Sequence, residues 1–137
     1  MNMENQLTKT PENLPEELLQ EEGKFLEEQM KRLEEKIGEF DGGSLDRKTY
    51  KGISGGFGTY AQRDPARHMV RLRLPGGRLP SAQLKFIAVS IERYQVEKIK
   101  LTTCETVQLH DLTAGQVPQL IREAAGAGII CRGGGGD

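Results

Sequence analysis

The sequence has 137 residues, of which 36% are hydrophobic and 28% charged, and its formal net charge is −1. This length fits one domain with an extension. The lack of a basic excess argues against a general nucleic-acid binder, because contacts to phosphates need one. The sequence has no apolar stretch long enough to cross a bilayer and no signal peptide at its polar start. We therefore expect a cytoplasmic protein with neither a membrane nor a nucleic-acid partner.

The two cysteines, Cys104 and Cys131, are far apart and form no CxxC pair. They are too few for a metal site by themselves, and a reducing compartment disfavours a disulfide between them. We expect two free thiols and no metal site.

Residues 1–43 are predicted to form a tail and an acidic amphipathic helix. Residues 1–12 carry no periodic pattern and are expected to be disordered, whereas Asn13 and Pro15 suit a helix start. One helix face carries four apolar residues at spacings of four, three and four, namely Leu26, Met30, Leu33 and Ile37. Gly23 is expected to weaken this helix and could split it. The apolar seam is short for a coiled-coil dimer, so we favour packing on the chain's own domain or a neighbouring one.

Residues 44–65 are predicted to be a glycine-rich connector, because Asp41 and the glycines after it end the helix. The connector contains GISGGFG, from Gly52 to Gly58. Backbone N–H groups of such a stretch can bind an anion. The stretch fits neither the P-loop nor the dinucleotide pattern, and we favour a flexible loop.

Residues 66–137 are predicted to form the compact domain. Residues 69–74 alternate between apolar and polar, as in a half-buried strand that Pro75 and two glycines end. A helix follows, with Ser81 as its cap and apolar residues at helical spacing, namely Leu84, Ile87, Ala88, Ile91 and Tyr94. Residues 98–112 read as two strands, or as one strand with a bend near Glu105.

A second helix closes the pattern. Thr113 can cap it, although Pro118 favours a start nearer Gln116. Its predicted buried residues are Val117, Leu120, Ile121 and Ala124, and its predicted end lies at Gly126 and Gly128. Residues 129–131 suit a last short strand. The whole order predicts an α+β, ferredoxin-like fold, with two helices on one face of an antiparallel sheet and an acidic N-terminal helical extension before it.

The other sheet face would present polar side chains from three segments. They are Arg71, Arg73, Lys100, Thr102, Gln108 and His110. Such a donor set suits a polyanion, since arginine matches the geometry of carboxylates and oxyanions. Alternating basic residues are also the ordinary pattern of a solvated sheet face. No nucleophile–base arrangement is evident, so any catalysis would depend on a bound group.

The series RLRLPGG, LTT, QLH and GGD, within about residues 60–137, resembles the sirohaem-containing nitrite and sulfite reductases. The resemblance implies the N-terminal ferredoxin-like half-domain of such a reductase, beside a sirohaem whose carboxylates need many donors. It implies that Arg71 binds the anionic substrate. It also assigns sirohaem carboxylates to four residues, which are Lys100, Thr102, Gln108 and His110.

The resemblance further implies an oxidoreductase that reduces sulfite or nitrite with several electrons, using sirohaem, a 4Fe–4S cluster and an electron donor. In this family four cluster cysteines follow GGD, and this sequence ends there. We therefore expect a chain truncated before the sirohaem/4Fe–4S domain, inactive alone and without a bound cofactor. It would act with the remainder of the parent reductase and could form a homo-oligomer through its N-terminal helix.

Two positions depart from the family pattern. The family usually has arginine where this sequence has Cys104, and often glutamine where it has Glu105. Losing a cation and gaining an acid predicts weaker tetrapyrrole binding, unless Lys100 or Arg132 substitutes. The alternative is a non-catalytic ferredoxin-like binding or docking module that has lost the tetrapyrrole site.

Overall fold

The computed structural model describes residues 16–74, 78–103 and 105–131, apart from the side chain of Leu19. Its elements are α1 (Glu16–Asp41), α2 (Arg47–Ser54), a 3₁₀ turn (Gly55–Phe57), β1 (Thr59–Ala61), β2 (His68–Arg73), α3 (Ser81–Arg93), β3 (Ile99–Leu101), β4 (Thr106–Leu112) and α4 (Gln116–Gly126). The strands form one antiparallel sheet in the order β1–β2–β4–β3. The predicted α+β, ferredoxin-like architecture with an N-terminal helix is confirmed. No helix in the described ranges is both long and apolar enough to cross a membrane.

Strand β2 separates the two faces of the sheet as its alternation predicts. Val70, Leu72 and Leu74 are buried, whereas Arg71 is half-buried and Arg73 is exposed. The buried residues join one hydrophobic core with apolar residues of α3, β4 and α4. Arg71 and Arg73 therefore lie on the face away from this core, whereas His68 of the same strand is buried.

Residues 98–112 form two strands joined by a tight turn. The N–H of Thr102 donates to the carbonyl of Thr106 at 3.0 Å, and the N–H of Glu105 donates to the carbonyl of Thr102 at 3.2 Å. Glu105 has a φ of +59°, which lies in the left-handed region and reverses the chain. The predicted bend near Glu105 is confirmed as a hairpin turn; Cys104 lies outside the described residues.

Helix α1 packs on the domain through its apolar seam. Met30, Leu33 and Ile37 are buried, and Leu26 packs partly buried against the same core. The packing of the seam on the chain's own domain is confirmed, while the homo-oligomer stays a prediction. The predicted split at Gly23 is wrong, because one glycine costs about 1 kcal/mol and good helix formers flank it on both sides. Residues 1–12, Asn13 and Pro15 lie outside the described residues.

The prediction of a flexible loop for the glycine-rich stretch is wrong. Asp46 caps α2 by accepting from the N–H of Thr49 at 3.2 Å. Tyr50 is buried and stacks on Phe40 of α1, with ring centroids 4.3 Å apart. These contacts order the segment despite its glycines, and β1 also falls inside the predicted connector. The predicted domain boundaries at residues 43 and 65 stay predictions.

The two later helices differ from the sequence pattern at their starts and faces. Ser81 is the first residue of α3, and Pro80 occupies the N-cap without a side-chain bond, so the predicted Ser81 cap is wrong. Leu84 is 53% exposed and Ala88 is also exposed, so these two residues of the predicted apolar face do not contribute to the core. Ile87 and Tyr94 of the same predicted set are buried, and Ser90 is buried beside them.

Helix α4 begins at Gln116, as Pro118 predicts, and the Gln116 side chain accepts from the N–H of Thr113 at 3.0 Å. Its four predicted core residues are buried, and the chain leaves the helix through Gly128 with a φ of +79°.

Residues 129–131 run along β2 without forming a regular strand. The N–H of Arg73 donates to the carbonyl of Ile130 at 3.0 Å. Cys131 is a buried free thiol, and burial raises its pKa to about 12. The predicted short strand at residues 129–131 is therefore wrong, because the segment bonds to β2 without forming a ladder in the described residues. Gly76 and Gly77 of the strand stop, Arg132 and the final GGD lie outside them.

Candidate anion-binding site

The polar face of the sheet is built from cross-strand rows. Arg71 of β2 lies opposite Gln108 of β4, and Gln108 lies opposite Lys100 of β3. Residues directly opposite on paired strands share a face. Strand spacing puts the backbones of Arg71 and Lys100 about 10 Å apart. The structure thus brings three of the predicted site residues together in one row, with a cation on each side of an amide.

A second row lies next to the first. Arg73 pairs with Thr106, and the hydroxyls of Thr106 and Thr102 are 2.6 Å apart. Thr106 is buried and Thr102 is half-buried, just beyond the end of β3. Thr102 therefore lies at the rim of the predicted face, where its hydroxyl already holds the hairpin together.

His110 lies on β4 two residues after Gln108, on the same face as the first row. Its Nε2 donates to Oε1 of Gln108 at 3.0 Å in the assigned amide orientation. Burial lowers the pKa of His110, and the charges of Lys98 and Lys100 lower it further, against the opposite effect of Asp111. The imidazole is therefore neutral at pH 7.

A β-bulge aims His110. The register between β2 and β4 shifts between the pairs His68–Leu112 and Val70–Leu109, and Asp111 has a φ of +61°. Gln62 holds the bulge from outside: its Nε2 donates to Oδ1 of Asp111 at 3.1 Å, and its Oε1 accepts from the Asp111 N–H at 2.7 Å. Bulges of this kind re-aim side chains next to sites.

Tyr60 of β1 also belongs to this face, although it was not among the predicted site residues. Tyr60 pairs with Met69, which alternates onto the same side of β2 as Arg71. The guanidinium carbon of Arg71 lies 4.7 Å from the centroid of the Tyr60 ring, a cation–π distance. Tyr60 and Gln62 could be found only through the pairing of β1, because three strand residues are too few for a period.

Two cavities of the described structure lie away from this face. One groove of about 460 Å³ lies between α1 and the start of α4, and another cavity of about 480 Å³ lies beside Phe40 and Arg47. Neither includes a predicted site residue. Within the described ranges, no group of three or more His, Cys, Asp or Glu side chains could hold a metal ion.

Residues 60–127 match the family model of the nitrite/sulfite reductase ferredoxin-like half domain. The chain carries a nitrite/sulfite reductase ferredoxin-like half domain. The predicted family is thereby confirmed, and the half domain spans the sheet from Tyr60 through α4, including every predicted site residue. Helices α1 and α2 precede the matched range. The half domain is that of an oxidoreductase family. No curated protein matches the chain.

Proposed function

We propose that the half domain forms part of the wall of a sirohaem and anion site in a reductase that reduces sulfite or nitrite with several electrons. The observation that carries the proposal is the row of Arg71, Gln108 and Lys100 across three neighbouring strands. The family of the matched residues supports it. The resemblance of the sequence to sirohaem-containing reductases names the ligand.

The donor chemistry of the face fits a tetrapyrrole polycarboxylate and a small oxyanion. Arg71 would bind the substrate anion, because its planar fork matches two oxygens at once. Carboxylates of the cofactor would be bound by the remaining set, which is Lys100, Thr102, Gln108 and His110. The Gln108 amide N–H groups are directional donors, and Lys100 adds a point charge. The neutral His110 has one N–H, which it donates to Gln108, so it would turn this N–H toward a bound carboxylate.

Sirohaem, when bound, supplies the iron centre at which the anion is reduced. The residues of this chain would bind and orient the cofactor carboxylates and the anion. Fixed cations stabilise the charge of the bound anion without reorganising at the moment of reaction. The face offers these cations on β2 and β3, on a backbone held by cross-strand hydrogen bonds.

The proposal assigns the 4Fe–4S cluster to other residues. Such a cluster is held by four cysteine thiolates, and this sequence has two cysteines, one of them buried with a raised pKa. The half domain would therefore work beside the rest of a reductase and receive electrons from a separate donor. We propose the cytoplasm as its location, since a free thiol suits a reducing compartment.

An NMR titration with nitrite tests the proposal. Nitrite should shift the resonances of Arg71, Gln108 and Lys100 in a saturable way, and added sodium chloride should weaken the effect. Arg71→Ala should weaken the binding at least fivefold, while Lys48→Ala on α2 should leave it unchanged. Shifts that are absent, or that centre on α1, would count against the proposal.

The alternative is a non-catalytic binding or docking module. Cys104 supports it, because the family usually has an arginine there, and so does Thr102, whose hydroxyl is engaged by Thr106. A Cys104→Arg variant separates the two functions. Barely measurable tetrapyrrole binding by the unchanged chain, and binding at least tenfold tighter by the variant, would favour the docking module. Clearly measurable binding of similar strength by both proteins would favour the reductase.

A further inference from the structure

We propose that Tyr60 is a positioning residue that fixes the guanidinium of Arg71 on the polar face. The inference deepens the proposed function and rests on it, because it concerns the residue assigned to the substrate anion. The motivating observation is the 4.7 Å distance between the Arg71 guanidinium carbon and the Tyr60 ring centroid.

The Tyr60 ring is itself held by the backbone around it. A methyl group at Gly55 would stand 3.1 Å from the Tyr60 hydroxyl oxygen and 3.3 Å from the nearest ring carbon. Gly55 therefore lets the ring lie against the 3₁₀ turn. This gives the glycine-rich stretch a packing role that the flexible-loop interpretation had left out.

Hydrogen bonds on both sides of Tyr60 fix β1 against β2. The Thr59 hydroxyl donates to the carbonyl of Met69 at 2.9 Å, and the N–H of Arg71 donates to the carbonyl of Gly58 at 2.8 Å. These two bonds fix the backbone that carries the Tyr60 ring relative to the backbone that carries Arg71. The contact between the Tyr60 ring and the Arg71 guanidinium therefore follows from the pairing of β1 with β2.

The contact matters for anion binding because arginine has a long, rotatable side chain. A guanidinium held in place before the anion arrives avoids the ordering cost that a mobile one would pay. A guanidinium that lies with its face on a ring keeps its in-plane N–H groups for hydrogen bonds to oxygens. Tyr60 therefore favours one placement of the Arg71 guanidinium on the polar face.

The test uses NMR on the full chain. Without any anion, the side-chain δ protons of Arg71 should be shifted upfield by the ring current of Tyr60 and should show NOEs to its ring protons. The upfield shift should persist in Tyr60→Phe and vanish in Tyr60→Leu. Nitrite should bind Tyr60→Phe within twofold of the wild type and Tyr60→Leu at least fivefold more weakly.

The outcomes separate this inference from the proposed function. An unshifted Arg71 without NOEs in the wild type overturns the positioning role and needs no variant to fold. Equal nitrite binding by the Leu and Phe variants also overturns it. If the wild type shows the ring-current shift but binds no nitrite, the proposed function fails, and with it the role of the contact in anion binding, while the contact itself stands.

Discussion

Gly58 lies so close to the backbone of Cys131 that a methyl group on Gly58 would stand 2.1 Å from the Cys131 carbonyl oxygen. Gly58 also has a φ of +81°, a conformation that other residues rarely adopt. The contact joins the start of the sheet to the last described residues, next to the strand that carries Arg71. Among the glycines from Gly52 to Gly58, Gly58 is therefore the position where a side chain is expected to fit least well.

Gly58→Ala is expected to lower the free energy of unfolding by about 2 kcal/mol or more, because left-handed backbone strain alone costs about 1–3 kcal/mol and the Cys131 backbone must also move. Chemical denaturation measures the change. The matched control is Gly56→Ala, since a methyl group there meets nothing within 4 Å. Equal effects of the two substitutions would contradict the close approach.

Arg122→Ala is expected to loosen α1 from α4. Arg122 bonds Glu27 through Nε at 2.9 Å and Glu34 through Nη1 at 2.7 Å, so one guanidinium contacts two successive stretches of α1. Because the pairs are partly exposed, the expected loss is about 1 kcal/mol, smaller in high salt.

Hydrogen exchange of the α1 amides should rise in Arg122→Ala and stay unchanged in Lys36→Ala, which removes an ion pair within α1. Unaltered exchange in the Arg122 variant would show that the apolar seam alone holds the helix.

The stability of the chain is expected to fall as pH drops below about 6.5. His68 is fully buried, and this desolvation lowers its pKa from 6.5, against an opposing effect of the Asp41 charge. Below pH 6.5 the unfolded chain therefore binds a proton that the folded chain does not. The stabilising contribution is complete above pH 6.5 and is lost progressively toward the folded pKa.

Denaturation between about pH 7.5 and pH 5.5 measures this slope. His68→Phe should flatten it, whereas His110→Gln should keep most of it, because His110 is only half-buried. An equally steep slope in the His68 variant would assign the pH dependence to other groups.

The pKa of His110 is expected to rise when an anion binds to the polar face. Burial is the largest cause that lowers this pKa, and the charges of Lys98 and Lys100 lower it further. A bound anion offsets these two charges. NMR titration of the imidazole with and without nitrite measures the effect, with buried His68 as an internal control. A pKa of His110 that is unmoved at saturating nitrite would place the anion elsewhere.

The spacing of apolar residues predicted much of the fold, because apolar residues recur along the buried side of a helix or strand. The alternation in β2, the seam of α1 and the buried side of α4 all follow from it. On α3 the same reasoning failed at Leu84, because an aliphatic residue at helical spacing can still face solvent. The spacing shows which apolar residues can share a face of a helix, whereas tertiary packing decides which of them are buried.

The candidate site was predicted in part for the same reason. Alternation placed Arg71 and Gln108 on polar faces, but their position opposite each other depends on strand register, which the bulge at Asp111 sets. Tyr60 and Gln62 were missed, because β1 is too short to show a period. Only the paired structure reveals that they hold Arg71 and the bulge.

The claim that this sheet face binds a tetrapyrrole polycarboxylate is tested by an absorbance titration of the chain with uroporphyrin. We expect saturable binding that weakens about tenfold or more when Lys100 and Gln108 are both changed to alanine, a loss of at least about 1.4 kcal/mol. The control changes Lys48 and Lys51, exposed lysines of α2, and should bind as the wild type does. Equal binding by both double variants, or no binding by the wild type, would contradict the claim.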